Sequence, residues 1–184
     1  ATDPSNASNL ASGTVPTARL GTGSASSSVF LAGDSTWIAA GGGKIGQVRH
    51  FNYTTETGTT SDSYVTTGLT YTITPSATSS TVLIDATLMM PQIAQDSDSL
   101  SMATSLYHNG SAIQTMITGL GQWVNLGSAY RNVGCINMRY MHSPSSTSEQ
   151  TYTCYFKRGG ATVASVQIQQ NSSASSMTLY EVLA

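Results

Sequence analysis

The residues of this chain that could do chemistry are three histidines, nine carboxylates and many hydroxyls. His50, His108 and His142 stand far apart, with none of the His-x-x-x-His spacing that puts two imidazoles on one helix face for a metal. A Ser-His-Asp triad assembles in space, so distant histidines do not by themselves rule one out. The chain has no Gly-x-Ser-x-Gly elbow, however, and with 28 Ser and 26 Thr the presence of a serine carries no weight. Each histidine therefore reads as a strand or loop imidazole with a local hydrogen bond. Asp96 and Asp98 are the one close carboxylate pair. Glycoside hydrolysis needs two carboxyls held about 5 Å or about 6.5–9.5 Å apart across a bond, and an i, i+2 pair on a loop is poorly held for that. Asp-x-Asp-x-Ser is also a fragment of a calcium loop, but the Gly and the distal Glu are missing. The Gly119–Trp123 stretch lacks the Lys and the strand-to-helix setting of a phosphate loop. The expectation is a protein that is not an enzyme, with no catalytic residue, metal or cofactor.

Whatever such residues do, they must be positioned by an unusual chain. Charged residues make up 9% of the 184, against about 25% in an ordinary soluble domain. A net charge of −2 with seven scattered Lys and Arg does not form a phosphate-neutralising surface, so nucleic acid is not an expected partner. No apolar run approaches the ~18 residues of a membrane helix, so membrane insertion is not expected either. The start, Ala1-Thr2-Asp3-Pro4, has no signal-peptide pattern and reads as a processed chain or a fragment. Four Asn-x-Ser/Thr sequons, at Asn6, Asn52, Asn109 and Asn171, are little more than this composition yields by chance.

Composition changes near residue 43. The segment 1–43 has few large apolar residues among Ser, Thr, Ala and Gly, and cannot bury enough surface to fold alone. Gly41-Gly42-Gly43 reads as a hinge. From Lys44 the pattern is β. Leu69, Tyr71 and Ile73 alternate with threonines; Val82, Ile84, Ala86 and Leu88 share one face; Ile136, Met138 and Tyr140 share another. Strands are expected at 45–53, 63–74 (with a break at Gly68), 81–90, 101–108, 112–117, 130–142, 150–157, 162–170 and 176–183. The last of these, apolar on both faces, reads as a central strand. Regular Ser/Gly/Asn/Pro punctuation between them is the pattern of a sandwich or barrel. Cys135 and Cys154 would be neighbours if their strands form a hairpin, and both a bridge and two reduced core thiols stay open.

The motifs read together resemble bacteriophage fibre proteins. Residues Asn9–Leu20 and Phe30-Leu31-Ala32-Gly33-Asp34-Ser35-Thr36-Trp37 resemble tail-fibre segments, with Ser35 where Gly is usual. Gly43–Val48, Thr67–Pro75, Ser79–Ile84, His108–Ile113, Ser143-Pro144 and Thr178–Val182 resemble the terminal β-domain of marine and cyanobacterial phage fibres. The resemblance implies an all-β chain: an extended, intertwined shaft over 1–43, then an antiparallel jelly-roll-like β-sandwich head over 44–184, assembled as a homotrimer. It implies localisation in the virion, with another virion protein bound through the N-terminal segment and a glycan or protein of the host surface bound by the head. A purely structural virion component, such as a capsid-attached fibre or decoration protein, stays open beside it. A glycan-degrading spike is disfavoured, because nine scattered carboxylates do not supply its clustered acids. Shaft packing falls to Leu10, Val15, Leu20, Phe30, Leu31 and Trp37.

If sandwich strands alternate in direction, the loops 54–62, 91–100, 118–129 and 158–161 lie at the end away from Lys44. Those at 75–80, 109–111, 143–149 and 171–175 then lie near it. The distant set carries the chemically diverse groups, Trp123, Gln122, Asn125, Asp96, Asp98, Glu56 and Arg158, which are the expected receptor contacts. Trp123 leads, since an aromatic face stacks on sugar C–H surfaces, although a buried core or axial Trp is the competing reading.

Overall fold

The computed structural model describes residues 20–27, 29–39, 44–89, 91–95, 101–119, 131–132, 134–159 and 163–184. The chain divides into two units, Ala1–Gly42 and Gly43–Ala184.

In the first unit β1 (Val29–Leu31) and β2 (Trp37–Ala39) form an antiparallel hairpin, with Phe30 opposite Ile38 and Leu31 opposite Trp37. Its turn is closed by Asp34, whose carboxylate accepts from the Thr36 N–H at 3.0 Å. Ser35 takes the left-handed conformation at φ 59, so serine here adopts the geometry that glycine adopts freely. A two-stranded ribbon is marginal alone. Its large side chains stay open: Leu20, Phe30, Leu31 and Ile38 are exposed and Trp37 is partly so. Leu10 and Val15 lie outside the described residues.

The second unit contains β3 (Ile45–Tyr53), β4 (Thr57–Thr59), β5 (Val65–Ile73), β6 (Thr81–Met89), β7 (Gln92–Gln95), β8 (Ser101–His108), β9 (Ser111–Gly119), β10 (Arg131–Asn132), β11 (Cys135–His142), β12 (Gln150–Arg158), β13 (Val163–Ile168) and β14 (Ser175–Val182). One sheet has the order β3–β14–β6–β11 and the facing sheet β5–β12–β8–β9. All pairings are antiparallel. Eight strands run alternately up and down, and consecutive strands fall in opposite four-stranded sheets except β8 and β9, which form a hairpin within one sheet. That is the jelly-roll β-sandwich expected from the sequence.

Strict period-two burial makes the layers. In β6, β12 and β14 every second residue is buried, placing Val82, Ile84, Tyr152, Phe156, Met177 and Leu179 in one core. β14 is indeed central, between β3 and β6. Gly68 does not break β5 but sits in it at φ 82, where the register against β12 shifts. A Cβ there would meet the Tyr53 ring, so only glycine fits this bulge.

Two expectations are corrected. Cys135 and Cys154 do not face each other in a hairpin, because β11 and β12 belong to opposite sheets. Both are free; Cys154 is buried and Cys135 is exposed, so they are not two core thiols either. The segment 163–168 is not a sandwich strand, since β13 pairs with β7 and β4 across the end of the barrel-like body. The connection 171–175 therefore lies at the end away from Lys44, where Ser175 pairs with Tyr53. The physical reason is length: six residues with half-apolar alternation satisfy either role equally well.

Candidate functional site

The eight sandwich strands put two kinds of connection at opposite ends. At the Lys44 end lie 74–80, 109–110 and 143–149. At the far end lie the links from β3 to β5, β6 to β8, β9 to β11 and β12 to β14. Each far-end link contributes one short strand, and the four form a third antiparallel sheet of order β10–β7–β13–β4. Ile93, Val166 and Ile168 from this sheet are fully buried and join the main core. Alternation then turns Ser165 and Gln167 outward.

Between β4 and β13 the outer surface carries a depression of about 480 Å³, lined by Gly58, Thr59, Thr60, Ser165 and Gln167. Gly58 pairs with Gln167, and a Cβ at Gly58 would come within 3.0 Å of the Gln167 stem, so glycine lets that side chain lie over the strand. Gln170 donates its amide to Gln167 Oε1 at 3.0 Å, orienting it. Thr59 Oγ1 accepts from the Ser61 N–H at 3.0 Å. Among the described residues, no charged side chain lines the depression. The chemistry of these lining residues is hydroxyl, amide and backbone, able to exchange hydrogen bonds with a neutral, hydroxyl-rich ligand.

The β3–β5 link that carries Thr59 and Thr60 is fixed by an ion pair. Arg158 donates from Nε to Asp62 Oδ1 at 3.0 Å and from Nη2 to Oδ2 at 2.7 Å, and its N–H donates to the Ser61 carbonyl at 3.0 Å. This bidentate fork ties the β3–β5 link to the end of β12. Among the expected receptor contacts, Arg158 and the exposed Glu56 thus lie at the far end. Trp123, Gln122, Asn125, Asp96 and Asp98 lie outside the described residues. The depression itself escaped the sequence reading. Thr57–Thr59 is too short to show a period, and Thr and Ser are too common to stand out.

The histidines sort differently. His50 Nδ1 bonds Thr178 Oγ1 at 2.8 Å on an outer sheet face. His108 and His142 come together at the Lys44 end, ring centroids 4.3 Å apart. His108 Nε2 bonds Gln150 Oε1 at 2.7 Å, and His142 Nδ1 bonds the Tyr152 hydroxyl at 2.9 Å. Burial, and then the neighbouring His108, lower the His142 pKa. The His142–Tyr152 bond and the contact between the two imidazoles link the sheets, whereas the His108–Gln150 bond stays within one sheet, since β8 and β12 are neighbours and β11 lies across the core. Among the described residues no group of three or more His, Cys, Asp or Glu could hold a metal ion.

No family model matches the sequence, and no curated relative does. Among solved structures, the chain is similar to the VP2 subviral particle of infectious bursal disease virus. That match has 9% identity and a TM-score of 0.37, over 81% of this chain and 40% of that one. It is similar also to the Gt strain structure of the same virus, at 12% identity and a TM-score of 0.31, over 76% of this chain and 37% of that one. The chain thus spans about two fifths of the length of those proteins, and at such TM-scores neither activity nor assembly is inferred from the likeness.

Proposed function

We propose that this chain is a bacteriophage virion fibre protein, a homotrimer whose head adheres to the host cell surface through the end of the sandwich remote from Lys44. The observation that carries adhesion is the depression between β4 and β13, whose neutral hydroxyl and amide lining suits a neutral glycan. The fibre reading is supported by the tail-fibre-like segments at 9–20 and 30–37. The trimer is supported by four exposed apolar side chains among the described residues of the first unit, which other copies would bury. The N-terminal segment would join another virion protein. Each head would bind weakly, and three heads on one fibre would bind together far more strongly.

The test is binding of the full chain to an array of bacterial surface glycans, with Gln167→Ala and Thr60→Val variants alongside. Each substitution removes about one hydrogen bond, worth ~1 kcal/mol, so affinity should fall roughly fivefold for each. A glycan that binds wild type and both variants equally would overturn the assignment of this depression.

A further inference from the structure

The two outer faces of the sandwich differ in chemistry. The outer face of the β5–β12–β8–β9 sheet carries hydroxyls and a tyrosine–lysine cluster: Thr70 and Thr153 bond each other at 3.1 Å, Tyr107 stacks on Tyr155, and Lys157 lies over Tyr64. The outer face of the β3–β14–β6–β11 sheet is divided. Its far half is polar, with His50–Thr178, Arg139–Asp85 and Thr87–Asn137 pairs. Its Lys44 half is apolar. Strand register lines up Val48, Tyr180, Leu83 and Met141 in one row across all four strands. Ile45 and Val182 form the next row towards Lys44. Val48, Met141 and Ile45 are 53%, 50% and 49% exposed, the most open large apolar side chains among the described residues of the second unit.

We propose that this apolar half-face is where one head packs against the next copy of the chain in the homotrimer, an inference that rests on the trimeric reading above. Three observations select a second copy as the occupant. The two apolar rows, Val48–Tyr180–Leu83–Met141 and Ile45–Val182, hold no charged side chain, so identical copies could meet across them without like-charge repulsion. Its polarity is graded towards Lys44, the one point where the head is covalently tied to the first unit. Val48 lies only four residues on, at most ~14 Å of extended chain. Copies wound together through their first units must bring those points together, and the apolar rows with them. The first unit leaves Phe30 and Ile38 open in the same way, so both units lack partners of the same chemistry.

The experiment is light scattering on a dilution series of the full chain. It compares wild type, a Val48→Glu/Met141→Glu pair, and an Asn52→Glu/Asn137→Glu control on the polar half of the same two edge strands. The wild type and the control are expected to be trimers with one dissociation midpoint. The apolar-face pair is expected to dissociate at a concentration at least about tenfold higher. If that pair fails to fold by circular dichroism, Val48→Thr/Met141→Gln replaces it, with an expected shift of about threefold. A wild type that is monomeric overturns the trimer and this face together. A trimeric wild type with both pairs unshifted overturns this face alone. A trimer that persists undiminished while the Phe30–Ile38 hairpin becomes newly sensitive to protease assigns the face to that hairpin, and likewise overturns the proposal.

Discussion

Thr67 closes a gap that backbone alone leaves open. Where β5 bulges around Gly68, the Thr67 hydroxyl donates to the Cys154 carbonyl at 2.9 Å and accepts from the Leu69 N–H at 3.1 Å. It is fully buried. One side chain thus satisfies two backbone groups that the shifted register strands. Thr67→Val keeps the shape and removes both bonds. It should cost about 1–3 kcal/mol in urea unfolding, the penalty of buried unpaired polar groups, with no change in overall strand content. An unchanged midpoint would show that another partner takes over. The same residue marks what the sequence hides. Thr67 reads simply as one of 26 threonines, and its value depends on Cys154, 87 positions away. Gly68 was legible as an interruption, but whether it breaks a strand or bulges it is decided by the Tyr53 ring packed against it.

At the scale of elements, two polar clusters tie strands together at the Lys44 end, and both respond to acid. Glu181 on β14 is buried. Burial alone would raise its pKa. Bonds from the Ser76 hydroxyl and N–H, both at 2.6 Å, and from Gln47 Nε2 at 2.8 Å outweigh this and hold it at about 2. A carboxylate depressed in the folded state stabilises above its ordinary value of 4.5 and loses that contribution as pH falls towards 2. His142 has the opposite charge type. Its folded pKa lies below the ordinary 6.5, so the unfolded chain binds the proton more readily, and stability falls as pH drops below that value. Unfolding midpoints measured from pH 8 to pH 2 should therefore descend in two stages. His142→Gln should flatten the first. Glu181→Gln should flatten the second and lower the plateau at neutral pH, where the charge-assisted bonds act. A single unaltered descent in both variants would refute these origins. The sandwich strands were legible because their period-two apolar pattern is long; the expected β3 and β8 limits match the structure residue for residue. The end sheet was not legible. β4, β7 and β10 have two to four residues each, too few to show a period, and their pairing joins links far apart in sequence. β13 was visible as a strand but not as an end strand, which moved the 171–175 connection from one end of the sandwich to the other.

At the scale of the whole molecule, sparse charge and a thin supply of large apolar residues meet two different solutions. The second unit buries alternate residues between two sheets and covers its outer faces with hydroxyls and other polar groups, except for the apolar Lys44 half of the β3–β14–β6–β11 sheet. Among its described residues the first unit forms a short hairpin and leaves Leu20, Phe30, Leu31 and Ile38 exposed. The head presents a neutral, hydrogen-bonding depression at the end opposite its tie to that segment. On the reading proposed above, a fibre would be held at one end and would adhere at the other. Its most direct test is competition of virion adsorption: host cells are pre-incubated with the full 184-residue protein, then challenged with virions that carry this chain. Adsorption should fall in proportion to occupancy, and protein bearing Gln167→Ala with Thr60→Val should compete markedly less well. Undiminished adsorption at saturating wild-type protein would contradict adhesion by this head.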